Sequence, residues 1–140
     1  MSLVEELLSQ HNELWERVIT HYFVRELGDG ILPLEKFQRY FLQDYVSLRD
    51  FTTLLALTVA KAPSFDAARP ITRFLSEVLD GEESLFQAAF KTWGWRSEYR
   101  KPSASPTTRA LADLMRRVAY DGTYAAMLTV LVVTELTYLE

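Results

Sequence analysis

Cysteine is absent from the 140 residues of this chain, and histidine occurs only twice. The lack of cysteine excludes disulfides, thiolate nucleophiles and sites for thiophilic metals. His11 and His21 are far apart along the chain, and no Glu-x-x-His motif is present. We therefore expect neither a zinc site nor a di-iron site.

Other functional signals are missing as well. The first residues have neither the basic nor the apolar region of a secretory signal, and the longest apolar-rich run, 124–133, is too short to span a bilayer. No Gly-x-Gly-x-x-Gly motif, P-loop or serine elbow occurs. A net charge of −4 disfavours contact with phosphate backbones. We expect a cytoplasmic protein without a membrane or nucleic-acid partner.

The residues that are present indicate one helical domain spanning 1–140. A hydrophobic content of 49% is enough for a core, and the apolar residues recur at helical spacing. No alternating strand pattern extends beyond a few residues. We predict an all-α fold of about six helices: 2–20, 23–27, 33–61, one that ends before Trp93, 106–120 and 123–140.

Capping and breaking residues set these predicted boundaries. Ser2 and Glu5 have the spacing of a capping box. Gly28-Asp29-Gly30 predicts a reversal built on positive-φ glycines. Pro70 is expected in or near the first turn of the fourth helix, and Gly81 is expected to kink or split that helix.

Asp44 is a charged residue on the apolar side of the long central helix. The helical spacing places its carboxylate on the inward seam, between Phe41 and Leu48. Because burying an unpaired carboxylate is costly, Asp44 either pairs with an arginine or a tyrosine hydroxyl or faces a pocket that binds a ligand. The residues alone leave both interpretations open.

The last predicted helix raises the same question. Thr134, Glu135 and Tyr138 fall on two adjacent helical stripes that share Leu131, so they are candidates to face the same interior. Ordinary core packing with a satisfied hydroxyl accounts equally well for Tyr138. A solvated position near the end of the chain accounts equally well for Glu135.

Several segments form a recognisable set in a fixed order. The first run is His-Tyr-Phe-Val-Arg-Glu-Leu-Gly-Asp-Gly at 21–30, followed by Leu-Pro-Leu-Glu-Lys-Phe at 32–37 and Leu-Gln-Asp-Tyr at 42–45. Weaker matches follow at 81–83, 93–95, 106–110, 119–122 and 138–140. Together they resemble the TenA/THI-4 family, which includes thiaminase II (aminopyrimidine aminohydrolase), over nearly the whole chain.

The resemblance carries expectations about fold and function. It implies a heme-oxygenase-like helical bundle, here lacking the family's last helices, that assembles as a homo-oligomer and needs no metal or cofactor. It implies a hydrolase that releases ammonia from an aminopyrimidine or cleaves thiamin. The family's aminopyrimidine-holding aspartate corresponds to Asp44, which Tyr45 follows. A carboxylate that accepts from a ring amine and a ring N–H suits that role.

Some residues depart from the family pattern. Thr134 stands at the position of the nucleophilic cysteine, while Ser47 and Leu111 stand where tyrosines are usual. A threonine hydroxyl without an adjacent base is a poor nucleophile. The family's general-acid glutamate belongs to a segment beyond residue 140. Glu135, one residue past the matched position, is an alternative carboxylate.

Three functions remain open at this point. The favoured one is a TenA-like protein that binds a small planar, aminopyrimidine-like ligand and has impaired or absent thiaminase II activity. The second is an active aminopyrimidine hydrolase of a cysteine-less type. The third is a non-catalytic helical assembly protein whose apolar surface is covered by a neighbouring subunit. The expected ligand-binding residues are Asp44, Tyr45, Ser47, Leu111 and Tyr138.

Overall fold

A computed structural model describes residues 2–95 and 102–138. Within these residues the chain forms eight α-helices and one short π-helix, and no strand. The all-α fold class is therefore confirmed. None of the described helices is long and apolar enough to cross a membrane. The helices are α1 (Leu3–Gln10), α2 (Asn12–Ile19), α3 (Tyr22–Gly28), α4 (Leu34–Ala60), α5 (Phe65–Glu77), α6 (Glu83–Thr92), α7 (Pro106–Asp121) and α8 (Tyr124–Leu136), with the π-helix at Val78–Glu82 between α5 and α6.

The predicted helices match this pattern where the capping signals are strong. Ser2 and Glu5 form the expected capping box, in which the backbone N–H of Glu5 donates to Ser2 Oγ at 3.3 Å. The predicted first helix is wrong in one respect, because it is broken at His11 into α1 and α2. The expected disruption at Gly81 is present as the π-helix, so α5 and α6 continue one another.

Three boundary details differ from the predictions. Ser64 caps α5 by accepting from the backbone N–H of Ala67, so Pro70 lies inside the helix rather than in its first turn. Gly30 has a φ of 70°, whereas Gly28 is the last residue of α3 and needs no positive φ. The last helix ends at Leu136, and Tyr138 lies beyond it. Residues 139–140 are outside the described part of the chain.

The core is built around the C-terminal half of α4. Leu54 and Leu55 are fully buried there, and α5, α7 and α8 pack around them. Removing this much apolar surface from water is the main stabilising contribution to such a bundle. The buried residues of this cluster are Leu54, Leu55, Ile71, Val78, Met115, Ala119, Met127 and Leu131.

A second, aromatic cluster joins α6 to the N-terminal half of α4. The rings of Phe41 and Phe86 have centroids 4.4 Å apart, and Phe41 meets Trp93 edge-on at 5.4 Å. Tyr45 meets Phe90 edge-on at 5.1 Å. These are the tilted and edge-to-face arrangements that aromatic rings favour, so they fix the spacing of the two helices.

The first three helices contribute little to the interior. None of their described residues is buried. Leu14, Tyr22 and Ile31 are all more than half exposed. A set of large apolar side chains thus faces outward on α1 to α3 and the following turn.

Lys61 ties the end of α4 to the end of α7. Its Nζ donates to the carbonyls of Ala119 (3.0 Å), Tyr120 (2.8 Å) and Gly122 (3.2 Å), which are acceptors left over where α7 ends. We expect Lys61→Met to lower the free energy of unfolding by about 1 kcal/mol, measured by urea denaturation. Lys91→Met is the matched control, since Lys91 lies in the last turn of α6, near a helix end as Lys61 does, but bonds no described carbonyl. Equal losses in both variants would contradict a specific cap.

Candidate functional site

A cavity of about 360 Å³ lies where α4, the π-helix, α6, α7 and α8 meet. This volume is within the usual range for small-molecule sites. Its walls are largely apolar and include three phenylalanine rings, with a few polar side chains among them. The lining residues are Phe41, Asp44, Ser47, Leu48, Phe51, Glu82, Leu85, Phe86, Leu111, Met115, Thr134, Glu135, Thr137 and Tyr138.

Most of the residues predicted from the sequence line this cavity. They come from α4, α7, α8 and the residues just after α8, and they are Asp44, Ser47, Leu111, Thr134, Glu135 and Tyr138. Tyr45 is not among the lining residues. Its ring packs against Phe86 and Phe90, and its hydroxyl accepts from Gln87 Nε2 at 3.3 Å. Tyr45 therefore supports the wall between α4 and α6, and its ligand contact stays a prediction.

Asp44 and Tyr138 form the polar pair of the cavity. The Tyr138 hydroxyl donates to Asp44 Oδ1 at 3.0 Å. No described residue donates to Asp44 Oδ2. Burial raises the pKa of Asp44, and the bond from Tyr138 lowers it in part. Asp44 thus pairs with a tyrosine hydroxyl and also faces a cavity, so the two alternatives drawn from the sequence are compatible.

The surroundings of Tyr138 strongly shift the pKa of its hydroxyl. Although the side chain as a whole is 58% exposed, partial burial at the cavity raises the pKa of Tyr138, and the nearby Asp44 carboxylate raises it further, because ionising the phenol would place a second negative charge beside the first. Tyr138 consequently keeps its proton at neutral pH. It acts on Asp44 as a hydrogen-bond donor.

The two small hydroxyl groups of the cavity are engaged by their own helices. Thr134 Oγ1 lies 3.0 Å from the carbonyl oxygens of Val130 and of Leu131, and it donates to these acceptors. Ser47 Oγ donates to the Asp44 carbonyl at 2.9 Å. Bonds of this kind to the preceding turn are common for serine and threonine in helices. Neither hydroxyl donates its proton to a side-chain base.

Glu82 is a cavity residue that the sequence did not single out as part of the site. It is the last residue of the π-helix, and it lines the same cavity as Glu135 of α8. Burial raises the pKa of both side chains; the Asp44 charge adds to this for Glu82, and the Glu82 and Asp44 charges add to it for Glu135. The expected kink at Gly81 was the one sequence signal that an irregular segment lies here.

The charged residues that line the cavity are all acidic. Three carboxylates line it, and none of its lining residues is lysine, arginine or histidine. The side-chain carboxylates of Glu82 and Glu135 make no hydrogen bond or ion pair with any residue that the structure describes. In the same part of the chain, no three histidine, aspartate or glutamate side chains are placed to hold a metal ion. The arrangement can accept hydrogen bonds from a ligand and can hold positive charge.

The chain is similar to several known proteins over its whole length. It is 29% identical to an aminopyrimidine aminohydrolase from Halalkalibacterium halodurans, covering 100% of this chain and 63% of the relative. It is 28% identical to an aminopyrimidine aminohydrolase from Bacillus subtilis, covering 100% of this chain and 60% of the relative. The chain therefore spans about three fifths of the length of these curated relatives.

Solved structures give the same picture. A TenA homologue from P. horikoshii superposes with a TM-score of 0.88 at 27% identity, covering 99% of this chain and 65% of that one. The likeness confirms the heme-oxygenase-like helical bundle expected from the sequence. The model of the TENA/THI-4/PQQC family matches residues 8–140, and the chain belongs to that family.

Proposed function

We propose that this chain binds a planar aminopyrimidine-like ligand in the cavity, as part of thiamin or aminopyrimidine salvage, and that its thiaminase II activity is impaired or absent. Two similar proteins are aminopyrimidine aminohydrolases, which supports the ligand class. The observation that carries the proposal is the open oxygen of Asp44 within the cavity. Tyr138 occupies Oδ1, and Oδ2 is left for a ligand.

The chemistry of an aminopyrimidine suits these groups. An exocyclic amine donates hydrogen bonds, and a protonated ring nitrogen donates one more beside it, so a carboxylate can accept from both. The cavity walls provide Phe41, Phe51 and Phe86, whose rings offer surfaces for stacking a planar heterocycle. Apolar walls also remove competing water, which strengthens a bond to a carboxylate.

Impaired catalysis is the second part of the proposal. The hydroxyl of Thr134 donates to carbonyls of its own helix, so no base is positioned to take its proton. A hydroxyl nucleophile depends on such a base at neutral pH. With Thr134 at the position of the family's cysteine, covalent catalysis of the thiaminase type is not supported by these contacts.

A cysteine-less hydrolase is the competing function. Glu135 lines the cavity, and burial raises its pKa, which moves the group toward the range in which a carboxylate exchanges protons near neutral pH. A water molecule activated by Glu135 is the mechanism that this alternative requires. Its signature is ammonia release that depends on Glu135.

The decisive experiment is a calorimetric titration of 4-amino-5-hydroxymethyl-2-methylpyrimidine into the wild type and Asp44→Asn, with ammonia assayed in the same samples. We expect the wild type to bind without releasing ammonia. Because Asp44→Asn loses a charged acceptor and presents a donor in its place, we expect binding to weaken at least about tenfold. Asp66→Asn, which removes an exposed carboxylate outside the cavity, is the control and should bind like the wild type.

Each other outcome has a distinct meaning. Ammonia release that is lost in Glu135→Gln would establish the hydrolase instead. Equal binding by the wild type and Asp44→Asn would remove Asp44 from the site. No heat of binding in the wild type would overturn the proposed ligand and favour the assembly function, whose own signature is a melting temperature that depends on protein concentration.

A further inference from the structure

Gln43 joins the central helix to the start of α7 through both ends of its side-chain amide. Its Nε2 donates to the Ser103 carbonyl at 3.2 Å, and its Oε1 accepts from the backbone N–H of Ser105 at 2.8 Å. An amide side chain has one acceptor oxygen and one donor nitrogen, so both of its polar groups are used here. Gln43 therefore makes a two-point contact between α4 and the backbone that leads into α7.

The serine that Gln43 holds also sets where α7 begins. Ser105 is the N-cap of α7, and its Oγ accepts from the backbone N–H of Thr108 at 3.2 Å. Its carbonyl accepts from the backbone N–H of Arg109 at 2.8 Å. Because the first turn of a helix is bonded to its N-cap, a displacement of Ser105 displaces the first turns of α7 with it. Leu111 lies in the second turn of α7 and lines the cavity.

Gln43 is also the residue next to Asp44 in α4. Adjacent residues of a helix point about 100° apart, so the same turn of α4 presents Asp44 to the cavity and Gln43 to the start of α7. One turn of α4 thus carries the acceptor for a ligand and sets the distance to the wall that contains Leu111. Binding groups work only when supporting contacts hold them within about 0.5 Å of the productive geometry.

Two other side-chain contacts join α4 to α7, and both lie further from Asp44 along α4. Arg116 Nε is 3.2 Å from Asp50 Oδ1. Lys61 bonds the carbonyls where α7 ends, about 25 Å from Asp44 along the helix at 1.5 Å per residue. Gln43 consequently fixes the beginning of α7, whereas Lys61 fixes its far end.

We propose that Gln43 is a positioning residue for the ligand site, which holds the first turns of α7, and with them Leu111, at the distance from Asp44 that a planar ring requires. This inference rests on the proposed function, because it concerns the same ligand. Gln43 is not among the residues that line the cavity, so it acts through α7 and not by contact with the ligand.

The test is a calorimetric titration of 4-amino-5-hydroxymethyl-2-methylpyrimidine into the wild type and Gln43→Met. Methionine keeps the length of the side chain and makes neither hydrogen bond, so we expect binding to weaken about fivefold. Gln43→Glu keeps an acceptor for the N–H of Ser105 and loses only the donor to Ser103, so it should recover part of that affinity. Lys61→Met, which releases the other end of α7, is the control and should bind like the wild type.

A double-mutant cycle with Leu111→Ala separates positioning from general loosening of the bundle. If Gln43 acts through the α7 wall, Gln43→Met should weaken binding by only about twofold or less once the Leu111 side chain is removed. Equal binding by the wild type and Gln43→Met, equal weakening by Gln43→Met and Lys61→Met, or independent effects in the cycle would overturn the positioning role and leave the ligand site intact. No heat of binding in the wild type would overturn the ligand site and this inference together.

Discussion

Leu55→Ala is expected to lower the free energy of unfolding by about 3 kcal/mol, the largest effect of any single substitution considered for this chain. Leu55 is fully buried in the C-terminal half of α4, where α5, α7 and α8 converge. Truncation removes the Cγ carbon and its two methyl groups from the packed interior and leaves a void that the surrounding helices fill only in part. The neighbouring Leu54 is equally buried, which limits the collapse of the site.

Urea denaturation monitored by circular dichroism measures this loss. The slope of free energy against urea concentration should stay unchanged, which shows that stability and not the extent of unfolding has altered. Leu3→Ala is the matched control: Leu3 is 71% exposed, and its truncation should change the free energy by less than about 0.5 kcal/mol. A loss at Leu55 no larger than at Leu3 would show that α4 is not the centre of the core.

The parts of the fold that follow from regular helical spacing could be predicted from the sequence. The spacing of apolar residues predicted a helix over 33–61, and α4 extends over Leu34–Ala60. The position of Asp44 between Phe41 and Leu48 on the apolar side predicted that it faces inward, and it lines the cavity. Capping residues were equally informative, since Ser2 bonds the backbone of its own helix and needs no distant partner. These features depend on residues only a few positions apart.

The parts that could not be predicted depend on departures from that spacing. Glu82 reaches the cavity through a π-helix, whereas a regular α-helical projection assigns it a different direction. Tyr45 was placed at the site by its neighbour Asp44, yet adjacent residues of a helix point about 100° apart, and Tyr45 joins the aromatic cluster of α6. Helical spacing was also extended too far for Tyr138, which lies beyond the end of α8.

The feature hardest to predict from the sequence was that residues far apart along the chain meet at one site. The residues showed that Asp44 needs a partner, and they offered an arginine or any tyrosine as candidates. Tyr138 is that partner, 94 positions further along the chain, and no local rule connects the two. The family resemblance indicated both residues as ligand contacts. The structure adds that they touch one another and that Glu82 and Glu135 share their cavity.

The three carboxylates that line the cavity lower the stability of the folded chain at neutral pH. Burial raises the pKa of Asp44, Glu82 and Glu135 above their ordinary values of 3.8 and 4.5. At pH values between the ordinary and the raised pKa values, the folded chain binds more protons than the unfolded chain. The stability that the protonated carboxylates contribute is therefore fully present below the ordinary pKa values, and it is lost as the pH rises through the raised pKa values.

The variant Asp44→Asn/Glu82→Gln/Glu135→Gln should consequently be more stable than the wild type at pH 7, by about 0.5 to 1 kcal/mol, because solvent screens these partly exposed carboxylates. The difference should shrink toward zero as the pH falls below the ordinary pKa values of 3.8 and 4.5, where the carboxylates are protonated in the folded and the unfolded chain alike. Thermal unfolding of both proteins at half-unit pH steps measures it. Glu77→Gln, which neutralises an exposed carboxylate, should show no such pH-dependent gain. A triple variant that is less stable than the wild type at pH 7 would mean that these charges are compensated within the chain.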